Sequence, residues 1–187
     1  MPFSKIPPGG TVIVTGGMLS GCTVVMAANQ QGFYAYHAGT STPDPHWRTN
    51  TDGAASIVTA HNAMRPDQPV PVRPVAGGND LVAVGQQYPF SVIVYSDRSE
   101  ILEPGTPGNS ANQSTAFNYF ERDPGKATVG TAEAVITKDM NGNVVVHVWV
   151  EKGTLSDSIS SGDGIKARYK MDSGQSSTYS VPDARGA

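Results

Sequence analysis

Short apolar runs rich in Val, Ile, Tyr and Thr recur along the chain at residues 11–15, 23–27, 33–38, 70–75, 81–84, 90–95, 132–137, 144–150 and 165–169. By length and composition they predict strands. The segment 132–150 predicts a hairpin, with Asn141-Gly142 able to supply the positive φ angles of a tight turn. Only 53–65 reads as a good helix: it lacks proline, Asp52 or Thr51 can cap it, and Pro66 ends it. Its Ile57, His61 and Met64 share one face beside Val58. The stretch 102–118, with Pro104, Gly105, Pro107 and Gly108, predicts a long surface loop, and the Ser- and Gly-rich tail from Asp172 onward predicts a fraying end (172–187). The pattern is that of a strand-dominated α+β protein with one main helix and long surface loops.

Composition narrows the classes. Of 187 residues, 38% are apolar and 35 are glycine or proline, so the chain is globular and turn-rich rather than disordered. A single domain over 1–187 is expected, burying roughly 70% of its unfolded surface. The net charge of −3 comes without any basic run, which argues against nucleic acid or an anionic membrane as partner. Cys22 is the only cysteine, so no intrachain disulfide can form. Residues 1–10 contain no apolar segment long enough for a Sec signal peptide, and no stretch approaches the roughly 18 apolar residues of a membrane span. Export by a contact-dependent machine, or excision from a longer protein, would leave the same pattern. A monomer is expected.

The segment around the one thiol carries the chemistry. The runs 23–27 and 33–38 flank the polar connection Asn29-Gln30-Gln31-Gly32 and predict an antiparallel hairpin. With that connection Cys22 falls across from Gly39 and His37 across from Val24. The two are then diagonal neighbours on one face, with Cβ atoms about 7–8 Å apart. A two-residue shift would place them directly opposite, and a one-residue slip would put them on opposite faces. The pairing suits a nucleophile that acts as thiolate and an imidazole that takes its proton and returns it to a leaving amine. Gly16, Gly17 and Gly21 let backbone approach a substrate, and the amides of Gly21 and Cys22 are candidate oxyanion donors. Thr15, the carbonyl of Val14, or a distant Asn, Gln or Asp are all open as the group that orients His37. Without more, Cys22 also reads as a small buried hydrophobe.

Leu19-Ser20-Gly21-Cys22, followed fifteen residues on by His37 in Tyr36-His37-Ala38-Gly39, resembles the catalytic signature of the cytotoxic necrotizing factor and dermonecrotic toxin deamidases. The Leu-Ser-Gly-Cys string is similar to that of the small Burkholderia lethal factor. The resemblance covers about thirty residues near the N-terminus. It implies a mixed β-sandwich core and a cysteine-dependent protein-glutamine deamidase, with Cys22 as nucleophile and His37 as general base and acid. It also implies an upstream residue that holds the imidazole, for which Val14 and Thr15 are the candidates. In that family the target of the necrotizing-factor type is a Rho-family GTPase and that of the lethal factor a translation-initiation helicase; the fifteen-residue spacing leans to the former. The implied setting is a secreted or injected effector acting in a host cytosol, without a cofactor.

An amine in place of water would turn the same site into a transglutaminase. A thiol protease is compatible with the Cys-to-His order, although the papain-type context is missing, and a non-enzymatic β-sandwich binding module remains the third reading. The other histidines have plainer roles. His147 shares a strand face with Val145 and Trp149 and reads as packing, and His61 as core or interface filler on the helix. His46, beside Trp47 in a turn-rich loop, reads as a rim residue. Tyr34 and Tyr36 alternate with His37 and predict packing on the other sheet face. The histidines and carboxylates show no zinc-ligand spacing, and no phosphate-binding glycine motif is present.

Overall fold

A computed structural model describes residues 1–39, 47–98, 100–103, 113–120, 127–159 and 165–181. After a single 3-10 turn (Phe3–Lys5), the elements run β1 (Thr11–Leu19), β2 (Thr23–Ala28), β3 (Phe33–Ala38), α1 (Asp52–Met64), α2 (Gly78–Gly85), β4 (Phe90–Tyr95), β5 (Gln113–Asn118), β6 (Ala127–Lys138), β7 (Val144–Ile159) and β8 (Ile165–Val181). Among the described residues these strands form two four-stranded sheets, ordered β1-β6-β7-β8 and β3-β2-β4-β5. All pairings are antiparallel except β4 with β5, which makes the second sheet mixed.

Burial follows the sequence pattern. In β7 the inward Val144, Val146, Val148 and Val150 are buried while Val145, His147 and Trp149 face solvent, as expected for a sheet with one wet face. In β2 and β4 every residue is buried, because these central strands are covered on both sides. Val24, Met26, Ala28, Val92 and Val94 meet Ala132, Ala134, Ile136 and the β7 valines between the sheets. Val25, Ala27, Ile93 and Tyr95 pack on the other side against Ala54, Ile57, Val58, Leu81 and Val84 of the two helices. The molecule is a strand-dominated α+β sandwich with a helical layer on one sheet.

Several elements differ from the sequence expectation. Among the described residues there are two helices, because 81–84 forms part of α2: the Asp80 carboxylate accepts the Gly77 N–H at 2.8 Å and the Asp80 N–H returns to the Gly77 carbonyl at 2.9 Å, a closure that starts a helix. Residues 70–75 form no strand. Pro71 and Pro74 cannot donate to a ladder, Val72 and Val75 are exposed, and only Val70 is buried. Within 102–118, Leu102 is buried and Gln113–Asn118 is a strand, while 104–112 lie outside the described residues. The tail does not fray from Asp172, since β8 pairs with β7 through Val181; its alternation of Gln175, Ser177 and Tyr179 with exposed Ser176, Thr178 and Ser180 suits a sheet with one open face. Residues 182–187 lie outside the described set. Met64 is exposed rather than on the buried face of α1. At the β6–β7 turn only Gly142 has positive φ, and the Asp139 carboxylate holds the Asn141 and Asn143 amides, so the turn is wider than a two-residue loop.

Candidate active site

The β2–β3 hairpin is set by its loop. The Asn29 side-chain oxygen accepts the amides of Gln31 at 2.8 Å and Gly32 at 3.0 Å, fixing the connection and thereby the register. Thr23 pairs with Ala38 and Val24 with His37. One step further, Cys22 reaches Gly39: a Cβ built on Gly39 would stand 2.5 Å from the Cys22 sulfur, so the thiol lies over that glycine. Val24 faces the inter-sheet core and Cys22 packs against the same core; His37, opposite Val24, therefore shares the thiol's face. Cys22 is half-buried and His37, on the edge strand, is exposed. Tyr36 on the opposite face is buried in the helical layer, with Tyr34 packed beside it.

The turn that presents Cys22 is held on several sides. Gly21 has φ +108°, in the region that favours glycine. Its N–H donates to the Tyr119 hydroxyl at 2.8 Å, and that hydroxyl donates to the Cys22 carbonyl at 2.8 Å. The Trp47 indole N–H donates to the Gly21 carbonyl at 3.1 Å. Next along the chain, the buried Thr23 hydroxyl donates to the Thr49 carbonyl at 2.6 Å. Tyr119 is buried, which pushes its hydroxyl well above the usual tyrosine range and keeps it a donor. Its ring lies against Gly130, where a Cβ would stand 2.7 Å from the ring.

β1 closes the site from the other sheet. A Cβ on Gly16 would lie 3.7 Å from the Val24 side chain, so β1 runs over the residue that pairs with His37. Its ladder with β6 shifts between Thr15 and Met18. The Thr15 hydroxyl accepts the Gly17 N–H at 2.9 Å and donates to the Glu133 carboxylate at 3.4 Å, whereas Val14 packs toward the inter-sheet core.

Cys22 and His37 are thus brought together on one face and Gly21 lies beside them. The Gly21 amide already has an internal partner, and the Thr15 hydroxyl is engaged within its own strand pair. His61 is fully buried under the helical layer, and His147 is exposed on the outer sheet face with its Nδ1 2.9 Å from the Thr178 hydroxyl. His46 lies outside the described residues. Tyr119 and Trp47 were not legible as site residues. Tyr119 is 97 positions from Cys22 and carries no local spacing signal; for Trp47 the one hint was an aromatic side chain in a turn-rich loop.

A family model described as the Rho-activating domain of cytotoxic necrotizing factor matches residues 1–141. Toxin subunit YenC1 of Yersinia entomophaga is 33% identical over 154 residues, covering 82% of this chain; the chain spans 15% of that relative's length. The crystal structure of the C-terminal domain of CNFy from Yersinia pseudotuberculosis is similar with a TM-score of 0.73 and 23% identity, over 96% of this chain and 57% of that one. At that identity the likeness is one of fold.

Proposed function

The chain belongs to the family of the Rho-activating domain of cytotoxic necrotizing factor, and on that premise we propose that residues 1–187 form one catalytic domain, a cysteine-dependent protein-glutamine deamidase of a toxin. The observation that carries this reading is the hairpin register, which opposes Val24 to His37 and sets the Cys22 sulfur over Gly39 on the same face. Cys22 and His37 act as nucleophile and as general base and acid.

The Cys22 thiol passes its proton to His37, and the thiolate attacks the carboxamide carbon of a target glutamine. The oxyanion that develops needs a positioned donor; with the Gly21 amide occupied by Tyr119, the Cys22 amide takes that part. The tetrahedral intermediate collapses to a thioester as protonated His37 gives its proton to departing ammonia. Neutral His37 then takes a proton from water, which attacks the thioester, and the products are glutamate and the free thiol. The Val14 carbonyl is the better of the two candidates for orienting His37, because the Thr15 hydroxyl already bonds Gly17 and Glu133.

The proposed target is the water-positioning glutamine of a Rho-family GTPase in a host cytosol, whose conversion to a carboxylate stops hydrolysis and locks the switch on. Incubation of wild type with a panel of Rho-family GTPases, followed by intact-mass and peptide spectrometry, tests this. The expected result is a carboxamide-to-carboxylate conversion at one glutamine, falling by at least about 10³-fold in Cys22→Ser. Cleaved peptide bonds, or no change in any GTPase, overturn it.

A further inference from the structure

Resting on the reading of Cys22 as the nucleophile, we infer that Trp47 and Tyr119 are positioning residues that aim the Cys22 N–H at the oxyanion of the reacting carboxamide. Neither residue stands in the hairpin that pairs the thiol with His37, yet both converge on the turn that presents it.

Three successive peptide groups around Cys22 are held from outside the hairpin. Tyr119 takes the N–H of the Ser20–Gly21 peptide and the C=O of the Cys22–Thr23 peptide, each at 2.8 Å. Trp47 holds the C=O of the peptide between them at 3.1 Å. That middle peptide is trans, so its carbonyl and its N–H point in opposite directions in one plane. Trp47 packs with the helical-layer core, whereas Cys22 packs toward the inter-sheet core. Drawing the Gly21 carbonyl toward the indole therefore turns the Cys22 N–H to the side on which the thiol and His37 stand. Tyr119 meanwhile removes the Gly21 N–H as a competing donor and prevents rotation of the neighbouring peptides. The hydroxyl is suited to this double role because it donates and accepts at once. Its position is set by the ring's seat on Gly130, which leaves no room for a Cβ. A donor aimed before the reaction stabilises developing charge without reorganisation.

Tyr119→Phe keeps the ring on Gly130 and deletes both hydrogen bonds, and Trp47→Phe keeps an aromatic ring and deletes the N–H. With a Rho-family GTPase as substrate, each variant is expected to lose about 10- to 100-fold in kcat with KM within twofold of wild type. The rate of Cys22 alkylation by iodoacetamide between pH 6 and 8, which reports the thiol and needs no oxyanion donor, stays within twofold. Melting temperatures check that the variants fold, and turnover is taken per folded molecule. If both variants turn over within twofold of wild type, or if alkylation falls in step with kcat, the inference is overturned while the deamidase reading stands. A wild type that converts no glutamine overturns that reading and this inference with it.

Discussion

Gly39 is exposed at the end of β3, and a surface substitution away from special features changes stability by only about 0.5 kcal/mol. Its importance is local: an added Cβ would stand 2.5 Å from the Cys22 sulfur and 3.3 Å from the Cys22 Cβ. Gly39→Ala must push the thiol aside, and a misplacement of about 1 Å at a reacting atom can cost about 100-fold in rate. The expected outcome is a melting temperature close to wild type together with a kcat loss of tenfold or more, read by parallel thermal melts and deamidation kinetics. Unchanged turnover would mean that the thiol need not lie over Gly39. The Cys22–His37 pair was legible because one short loop decides its parity, and Asn29, which closes that loop, is a residue type with a known turn chemistry. Tyr119 and Trp47 hold the peptides around Cys22 from 97 and 26 positions away, so no short window of sequence contains them.

At the scale of elements, the segment after α1 shows why an apolar run need not be a strand. Val70 is buried, and the Asn62 side chain of α1 serves as its partner: the Val70 N–H donates to the Asn62 Oδ1 at 2.8 Å and the Asn62 Nδ2 donates to the Val70 carbonyl at 2.9 Å. One side chain thus replaces one rung of a ladder that Pro71 and Pro74 rule out. Asn62→Ala would leave both backbone groups buried and unpaired, at about 1–3 kcal/mol. Urea unfolding is expected to show a loss of that size, with turnover per folded molecule unchanged because the residue lies far from Cys22 in the helical layer. A loss below about 0.5 kcal/mol would show that water replaces the amide there. The same competition explains which elements were read correctly. β3 and β4 match their apolar runs end to end, and β6 and β7 contain theirs, because alternation or double burial writes itself directly into composition. α2 was hidden because four apolar residues fit either period and its signal lay in Asp80. β5 was hidden because an edge strand of Gln, Ser, Thr and Asn looks like loop until Ser114 meets Ser91 across the parallel ladder at 2.8 Å.

For the molecule as a whole, one buried histidine adds a polar tie to the apolar packing that joins the helical layer to the sheet. His61 has no solvent exposure. Its Nε2 lies 2.9 Å from the Gln68 carbonyl and its Nδ1 3.1 Å from the Tyr88 hydroxyl, which in turn bonds Tyr36 of β3 at 2.5 Å. Arg65 stacks over Tyr34 and Tyr88 and pairs with Asp67. A neutral ring that donates from Nε2 and accepts at Nδ1 satisfies this set, whereas a second ring proton would oppose Tyr88 and add charge beside Arg65. Burial, aided by Arg65, accordingly holds the His61 pKa below its ordinary value, against smaller opposing pulls from the Gln68 carbonyl and Asp67. An unfolded histidine protonates near pH 6.5, so below that pH the unfolded chain takes up a proton that the folded chain resists. The contribution to stability is complete above about pH 6.5 and is lost as pH falls from there toward the lowered folded value, at up to about 1.4 kcal/mol per pH unit. Urea midpoints measured from pH 8 to pH 5 are expected to be level at the alkaline end and to fall below pH 6.5. In His61→Gln, which lacks the titrating ring, the midpoint at pH 8 is lower but the fall between pH 6.5 and 5 is smaller. An equal fall in both proteins would assign the dependence to other groups. Because β3 carries Tyr36 on the face that meets this network and His37 on the other, the same loss of stability weakens the backing of the candidate active site, and the urea concentration that halves turnover is expected to fall below pH 6.5 in wild type and less steeply in His61→Gln.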